Sequence, residues 1–291
     1  MTVTLEKLRA LRRQAGETAG ALRGGEGGIP IPQALFAAPT AGMPRPDPGA
    51  QLDALRRMLG VRQRHAVPPL PSRDRSIPGI EIEPGLFLAE STRHMQAPSS
   101  VPLAFAKRED SVDTDALMFF DTETTGLAGG TGTRAFMIGA ADWSAGTLRI
   151  RQLTITTLAA EPAMLRTFAQ WLSPRTVLCS YNGRCYDAPL LKTRFRLARM
   201  GDPISALDHV DLLFPTRRRY RGVWENCRLA TIEREALRIV REDDLPGSEA
   251  PAAWLSFLRG GSSANLRRVA EHNLQDVVTL GRLFVHLAEA A

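Results

Sequence analysis

Phe119-Phe120-Asp121-Thr122-Glu123-Thr124-Thr125-Gly126-Leu127 is an apolar run that ends in two acids and a small, turn-prone segment. The two phenylalanines drive a strand into a core, and the acids follow at its end. Side chains alternate along a strand, so Asp121 and Glu123, two residues apart, face the same side. Two like charges this close to a core edge repel each other and lose hydration unless a cation sits between them. Oxygen ligands of this hardness suit Mg²⁺ or Mn²⁺ rather than zinc. A D-x-E pair alone also describes a solvated strand end; the attached Thr-Thr-Gly-Leu makes the pattern far more specific.

Working outward, IEIEPGLFLA (80–89) alternates apolar and polar residues about Pro84-Gly85, which predicts a hairpin. LMFFDTE (117–123), RAFMIGAADW (134–143) and LRIRQLTI (148–155) read as three successive strands, the last two joined by a Ser-Ala-Gly turn. EPAMLRTFAQWL (161–172) places Met164, Leu165, Phe168, Trp171 and Leu172 on one helical face. TVLCSY (176–181) is a short buried strand, DAPLLKTRFRLARM (187–200) a helix with a basic outer face, and further helices fall at about 228–240 and 263–288. Three antiparallel strands followed by helix–strand–helix is the element order of the ribonuclease H-like fold. The expected fold class is therefore α/β, with a mixed central sheet flanked by helices.

Two further segments carry acids. Ser180-Tyr181-Asn182-Gly183-Arg184-Cys185-Tyr186-Asp187 ends a strand in an Asn-Gly turn and opens a helix at Asp187. Asp before Ala188-Pro189 is also an ordinary helix cap, and a helix dipole would keep such an acid ionised. On the last helix, His272 and Asp276 lie one turn apart beside the packing stripe 266, 269, 273, 277, 280, 284 and 287. Taken alone they would be an ordinary surface pair.

In combination, D-x-E-T-T-G-L, N-G-x-x-Y-D and H-x-x-x-D resemble the three exonuclease motifs of the DEDD superfamily, which includes proofreading domains and ribonucleases D and T. The likeness covers about residues 115–291. GLAGGTGTRAFMIGAA, HVDLLFPTRRRY, CRLATIEREAL and DDLPGSEAPAAWLSFLR make the chain more closely similar to the YprB-like ribonuclease H-like exonucleases. This resemblance implies a 3′–5′ exonuclease that releases nucleoside 5′-monophosphates with two Mg²⁺ or Mn²⁺ ions. Asp121, Glu123 and Asp276 would hold one ion, and Asp121 with Asp187 the other. Thr124, Thr125, Gly126 and Leu127 would meet the 3′ terminus, while Asn182 and Tyr186 could line the scissile nucleotide; a buried Tyr filling the core accounts for Tyr186 equally well. One feature departs from both common subclasses: His272 has the spacing of the tyrosine class, four before Asp276, with Glu271 at the histidine-class position. His272 is the candidate general base.

The resemblance also tilts the substrate to DNA and the role to repair, beside a helicase partner that supplies single strands. An RNA exonuclease and a non-catalytic nucleic-acid-binding module of the same fold are the alternatives. Arg217-Arg218-Arg219-Tyr220-Arg221 is the candidate backbone clamp, or simply a solvated charged surface. Gly129-Gly130-Thr131-Gly132-Thr133 lacks the Gly-Lys-Ser/Thr ending of a P-loop, which argues against ATP binding.

The net charge of +6 is unevenly spread. Residues 1–75 hold 12 of the 37 lysines and arginines against 6 of the 31 acids, and the remainder of the chain is balanced. Pro/Gly-rich stretches there (RGGEGGIPIP, APTAGMPRPDPG) predict a basic, largely flexible extension with short helices, followed by one catalytic domain over 76–291. The sequence shows no membrane-length apolar run, MTVTLEKLRALRRQAG lacks the features of a secretory signal, and the three cysteines form no CxxC pair. A cytoplasmic protein is the expectation.

Overall fold

The computed structural model describes residues 74–126, 131–144, 146–242 and 244–290. The expected N-terminal extension thus lies almost wholly outside the described residues, as does Leu127. Of the extension, Asp74 and Arg75 are described: the Arg75 guanidinium donates to the carbonyls of Phe257 (2.9 Å) and Gly261 (3.0 Å) and covers the Phe257 ring.

A hairpin of β1 (Ile80–Glu83) and β2 (Leu86–His94) forms at Pro84-Gly85, where Gly85 takes the positive φ of the turn. β3 (Ser100–Pro102) and β4 (Ser111–Asp113) make a separate small ribbon. Then come β5 (Leu117–Thr124), β6 (Ala135–Ser144) and β7 (Thr147–Ile155). Next are α1 (Glu161–Gln170), β8 (Val177–Ser180), α2 (Asp187–Leu197), β9 (Asp208–Asp211) and α3 (Leu213–Tyr220). The chain ends with α4 (Leu229–Ile232), α5 (Ala250–Leu258) and the long α6 (Ala264–Glu289).

Seven strands form one sheet in the order β1-β2-β7-β6-β5-β8-β9. Pairing is antiparallel from β1 through β5 and parallel from β5 to β8 and β9, the mixed sheet expected from the element order. β5 sits where the two modes meet, and alternation along it sorts its side chains between two cores. Met118 and Phe120 pack in the layer of α1, α2 and α5, whereas Leu117 and Phe119 pack in the layer of α6. In the second layer Phe119 meets Trp143 (5.2 Å) and Phe284 (5.8 Å) edge-on, each such pair adding about 0.5–1.5 kcal/mol beyond area burial. The α6 stripe of Leu266, Val269, Asn273, Val277, Leu280, Phe284 and Leu287 is buried throughout. Asp121 and Glu123 continue the parity of Phe119 and so come under α6.

Two expectations are corrected. The basic face of α2 is not all outward: Arg194 is buried and grips the buried Glu161 of α1 with two bonds (2.5 and 2.7 Å), because a guanidinium's fork matches a carboxylate. The helix foreseen at about 228–240 is α4 followed by a π-helical turn, Glu233–Leu237, which stops at the left-handed Arg238. Strand β9 and helices α3 and α5, which the periodicity did not mark, complete the layers.

Candidate functional site

The C-terminal end of β5 delivers Asp121 and Glu123 beneath α6, and the turn after β8 delivers Asp187 at the first residue of α2. Donor atoms of Glu123, His272 and Asp276 lie within 4.8 Å of one another, a spacing that a single ion could span. Asp121 and Asp187 stand beside this trio, near enough for their charges to act on Glu123 or on each other. The three acidic motifs are thereby brought to one place, although 65 and 152 residues separate β5 from its partners on α2 and α6.

Burial and crowding hold these carboxyls toward the neutral form. Asp121 is pushed well up by burial and then by Asp276, Asp187 and Glu123, while a hydrogen bond from Asn273 works the other way. Glu123 is pushed up to about 8, chiefly by burial. Asp187 rises to about 6, again by burial. Desolvation outweighs the helix dipole and raises the Asp187 pKa, yet at about 6 the group is still mostly ionised at neutral pH. Nor does Asp187 cap its helix: it is the first helical residue, and its carboxylate accepts a short hydrogen bond from Thr122 Oγ1 on β5. Clustered, desolvated carboxyls with oxygen donors fit hard divalent cations, which would supply the missing countercharge.

A pH signature follows. Glu123 moves from an ordinary 4.5 to about 8 and Asp187 from 3.8 to about 6 on folding, so the native state binds their protons more tightly. Their contribution is fully present below the unfolded values and is lost as pH rises through the folded ones. We expect the melting temperature of the chelated protein to fall between pH 5 and pH 8.5. Saturating Mg²⁺ or Mn²⁺ should raise it most at the alkaline end. An ion effect of equal size at pH 5 and 8.5 would contradict this assignment.

Several residues that the motifs did not single out build the site. Asn273, fully buried, donates from Nδ2 to Asp121 Oδ2 (3.0 Å) and accepts from Gln152 Nε2 (3.0 Å), which also donates to the Ala270 carbonyl (2.8 Å). Gly139 on β6 makes room for it: a Cβ there would lie 2.1 Å from Asn273 Oδ1. A glycine inside a strand is the one sequence signal that could have found this close approach.

His272 Nδ1 lies 2.6 Å from Asp244 Oδ1, and its Nε2 lies 3.4 Å from Asp276 Oδ2. Arg241 Nη1 also approaches Nδ1 (3.1 Å), but the nearer Asp244 carboxylate favours a proton on Nδ1 and leaves Nε2 facing the acids. Burial pulls the His272 pKa down, but Asp276, Asp244 and Glu123 outweigh it, and the net shift is upward. Arg241 makes a short bond to Asp276 Oδ1 and two to Glu233 (2.6 and 2.7 Å). Glu233 is buried on the π-helical turn, so the irregular backbone that broke the expected helix is what holds Arg241 in place.

The candidate substrate contacts are distributed unevenly. Thr124 Oγ1 donates to the Gly126 carbonyl (2.9 Å), while Thr125 N donates to the Arg134 carbonyl (2.9 Å) and Thr125 Oγ1 accepts from Arg134 N (3.0 Å), which pins the turn after β5. Asn182 adopts φ 67° and donates its main-chain N–H to Asp211 (2.7 Å). Tyr186 is 63% exposed, so it does not fill the core. Arg217, Arg218 and Arg219 are exposed on α3. Arg218 donates to the Phe105 carbonyl (2.8 Å) and Arg219 to that of Ala290 (2.6 Å), the two being anchored to different parts of the fold.

A family model described as the RNase_H superfamily matches residues 118–288. That is more than half of the 291 residues, and the chain belongs to this superfamily. The fold is ribonuclease H-like. Over 174 residues the chain is 35% identical to YprB of Bacillus subtilis (strain 168), itself uncharacterized. The match takes in 60% of this chain and 42% of YprB, so the chain spans less than half the length of that relative. Among solved structures, the family B DNA polymerase of the archaeon Pyrobaculum calidifontis gives a TM-score of 0.46 at 14% identity, over 60% of this chain and 24% of that one. E. coli exonuclease I in complex with a dT13 oligonucleotide gives 0.37 at 16% identity, over 54% and 42%. No helix among the described residues is long and apolar enough to cross a membrane.

Proposed function

We propose that this protein is a metal-dependent 3′–5′ exonuclease that acts on DNA, in a repair setting beside a helicase, and releases nucleoside 5′-monophosphates. The observation that carries this reading is the gathering of Asp121, Glu123, Asp187 and Asp276 from three sequence motifs into one largely desolvated, mutually repelling cluster. Superfamily membership supports it, and the Thr-Thr-Gly-Leu segment at the end of β5 favours attack at a chain terminus.

Two divalent ions held by these acids would neutralise charge at the scissile phosphate and acidify the attacking water. The chain's own groups do the rest. Asn273 steadies one oxygen of Asp121 and leaves the other available. Thr122 steadies Asp187. Asp244 holds the Nδ1–H of His272, so that Nε2 accepts the water's proton. The pinned turn at Thr124–Gly126 offers polar groups to the terminal 3′-hydroxyl.

Matched 5′-labelled DNA and RNA oligomers, single- and double-stranded, test the reading when digested with Mg²⁺ or Mn²⁺ and with chelator. The expected result is a ladder shortened from the 3′ end of DNA, with covalently closed circles untouched. Faster loss of RNA would reassign the substrate. Cut circles would mean endonucleolytic attack, and binding without cleavage would make the protein a nucleic-acid-binding module.

A further inference from the structure

A second polar feature lies outside the carboxylate cluster, at the free edge of the sheet. A cleft of about 580 Å³ opens between β9, α2 and α3, and its wall includes Arg184, Lys192, Asp208, Asp211, Phe214 and Arg218. That volume suits one nucleotide-sized group.

The charges in this cleft are not evenly matched. Asp208 is ion-paired with Arg108 at 2.7 Å. Asp211 is occupied by three main-chain N–H donors, those of Asn182 (2.7 Å), Arg184 (3.1 Å) and Leu213 (3.0 Å). Arg218 is tied to the Phe105 carbonyl. The side chains of Arg184 and Lys192 have no ion pair or hydrogen bond with any described residue. Two cations without an ion pair or hydrogen bond therefore border a cleft whose acids are already engaged, Lys192 acting on Asp202 only through space. Beside them Phe214, on α3, leaves 44% of its surface exposed, which opens an aromatic face next to the cleft.

The position of the cleft is as informative as its lining. Arg184 lies on the turn that delivers Asp187, and Ala188, the next residue of α2, is part of the cleft wall. Asp211 is close enough to Asp187 to raise its pKa. A strand with its scissile phosphate at the carboxylates thus has this cleft as its neighbour across a single turn of chain.

From this placement we infer that the cleft is a subsite for an adjoining nucleotide of a single strand, its phosphate held by Arg184 and Lys192 and its base stacked on Phe214. Cations that track the backbone, combined with an aromatic platform, bind single strands with little sequence preference. The inference rests on the reading of the protein as a nuclease, and it adds a contact that the carboxylate motifs do not contain.

The test uses the full chain in chelator, so that nothing is cut, with a fluorescent single-stranded 12-mer followed by anisotropy across a salt series. The double variant Arg184→Ala/Lys192→Ala should bind at least about tenfold more weakly, and its slope of log affinity against log salt should be smaller by about one. Phe214→Ala should also weaken binding, by about tenfold, with the slope unchanged. The charge-keeping pair Arg184→Lys/Lys192→Arg should stay near wild type, which separates lost contacts from lost folding.

Wild-type affinity and slope in the double variant would overturn the subsite. So would a variant that keeps the 12-mer but loses adenosine 5′-monophosphate, since the cleft would then serve free nucleotides. Cleavage by wild-type protein with Mn²⁺ is measured in parallel. A wild type that does not cut, with the binding differences intact, would sink the nuclease reading and leave the subsite standing. Cutting with no binding difference would do the reverse.

Discussion

Asp121→Asn should reduce hydrolysis to below about 1% of the wild-type rate while the protein folds as before. The substitution is nearly isosteric, and the amide oxygen can still accept the hydrogen bond that Asn273 donates at 3.0 Å. What disappears is a charge. In the metal-free protein that charge is a burden, because Asp121 is half-buried and its pKa is driven up by desolvation and by three other acids. Its removal should leave the chelated protein as stable as the wild type or more stable, most visibly at alkaline pH. In the metal-loaded protein the same charge would help to hold the ions, and losing one charged ligand of a transition-state clamp typically costs two or more orders of magnitude. Three measurements decide the matter: turnover with Mn²⁺, divalent-ion affinity by calorimetry, and melting with chelator. Weakened ion binding with normal or raised metal-free melting is the expected pattern. A variant that retains several per cent of activity would show that Asp121 is not part of the machinery.

His272→Ala should lower turnover by about 10²–10⁴-fold, the usual contribution of a general base. Metal affinity should fall less, because the carboxylates remain. The imidazole is placed for this role from both sides, with Asp244 on Nδ1 and the acids around Nε2. The sign of the pH effect is definite. A base works only when deprotonated, so the wild-type rate should rise with pH through the His272 pKa. Asp276, Asp244 and Glu123 raise that pKa in the metal-free protein, and bound cations would bring it back down. Ionisation of a metal-held water can produce a limb of the same shape, which is why the variant is needed. If His272→Ala keeps near-full activity, the proton goes elsewhere, and Glu271 becomes the residue to test. Asp244→Asn should slow the reaction without abolishing it and should move the limb to lower pH, since an anion that stabilises the imidazolium has been removed.

The local patterns that could be read from the sequence were those with short periods. Alternation about Pro84-Gly85 foretold the β1–β2 hairpin, and the Ser-Ala-Gly turn the β6–β7 pair. The 3.6-residue spacing of Leu266 through Leu287 foretold the buried face of α6. The acids stood out for the same reason, because each sits at the end of a strand or one turn along a helix in a recognisable motif. Less visible was whatever depends on a partner distant in the chain. Arg194 looked like a surface cation until Glu161 met it inside the protein. Asn273 looked like one position in a packing stripe, although its amide reaches Asp121 and Gln152 across the space that Gly139 leaves.

The sequence by itself determined the order of elements from β5 to α2, the strand end that carries Asp121 and Glu123, and which face of the last helix is apolar. These follow from alternation, helical periodicity and turn chemistry, which act over a few residues and need no partner. Only the tertiary structure decided the electrostatics. The helix dipole alone would hold the Asp187 pKa low, yet burial drives it up to about 6. Arg241, Glu233 and Asp244 became neighbours of Asp276 and His272 only when a π-helical turn folded back against α6. Desolvation and charge coupling depend on the surroundings of a group in three dimensions, and those surroundings are built from segments that lie far apart along the chain.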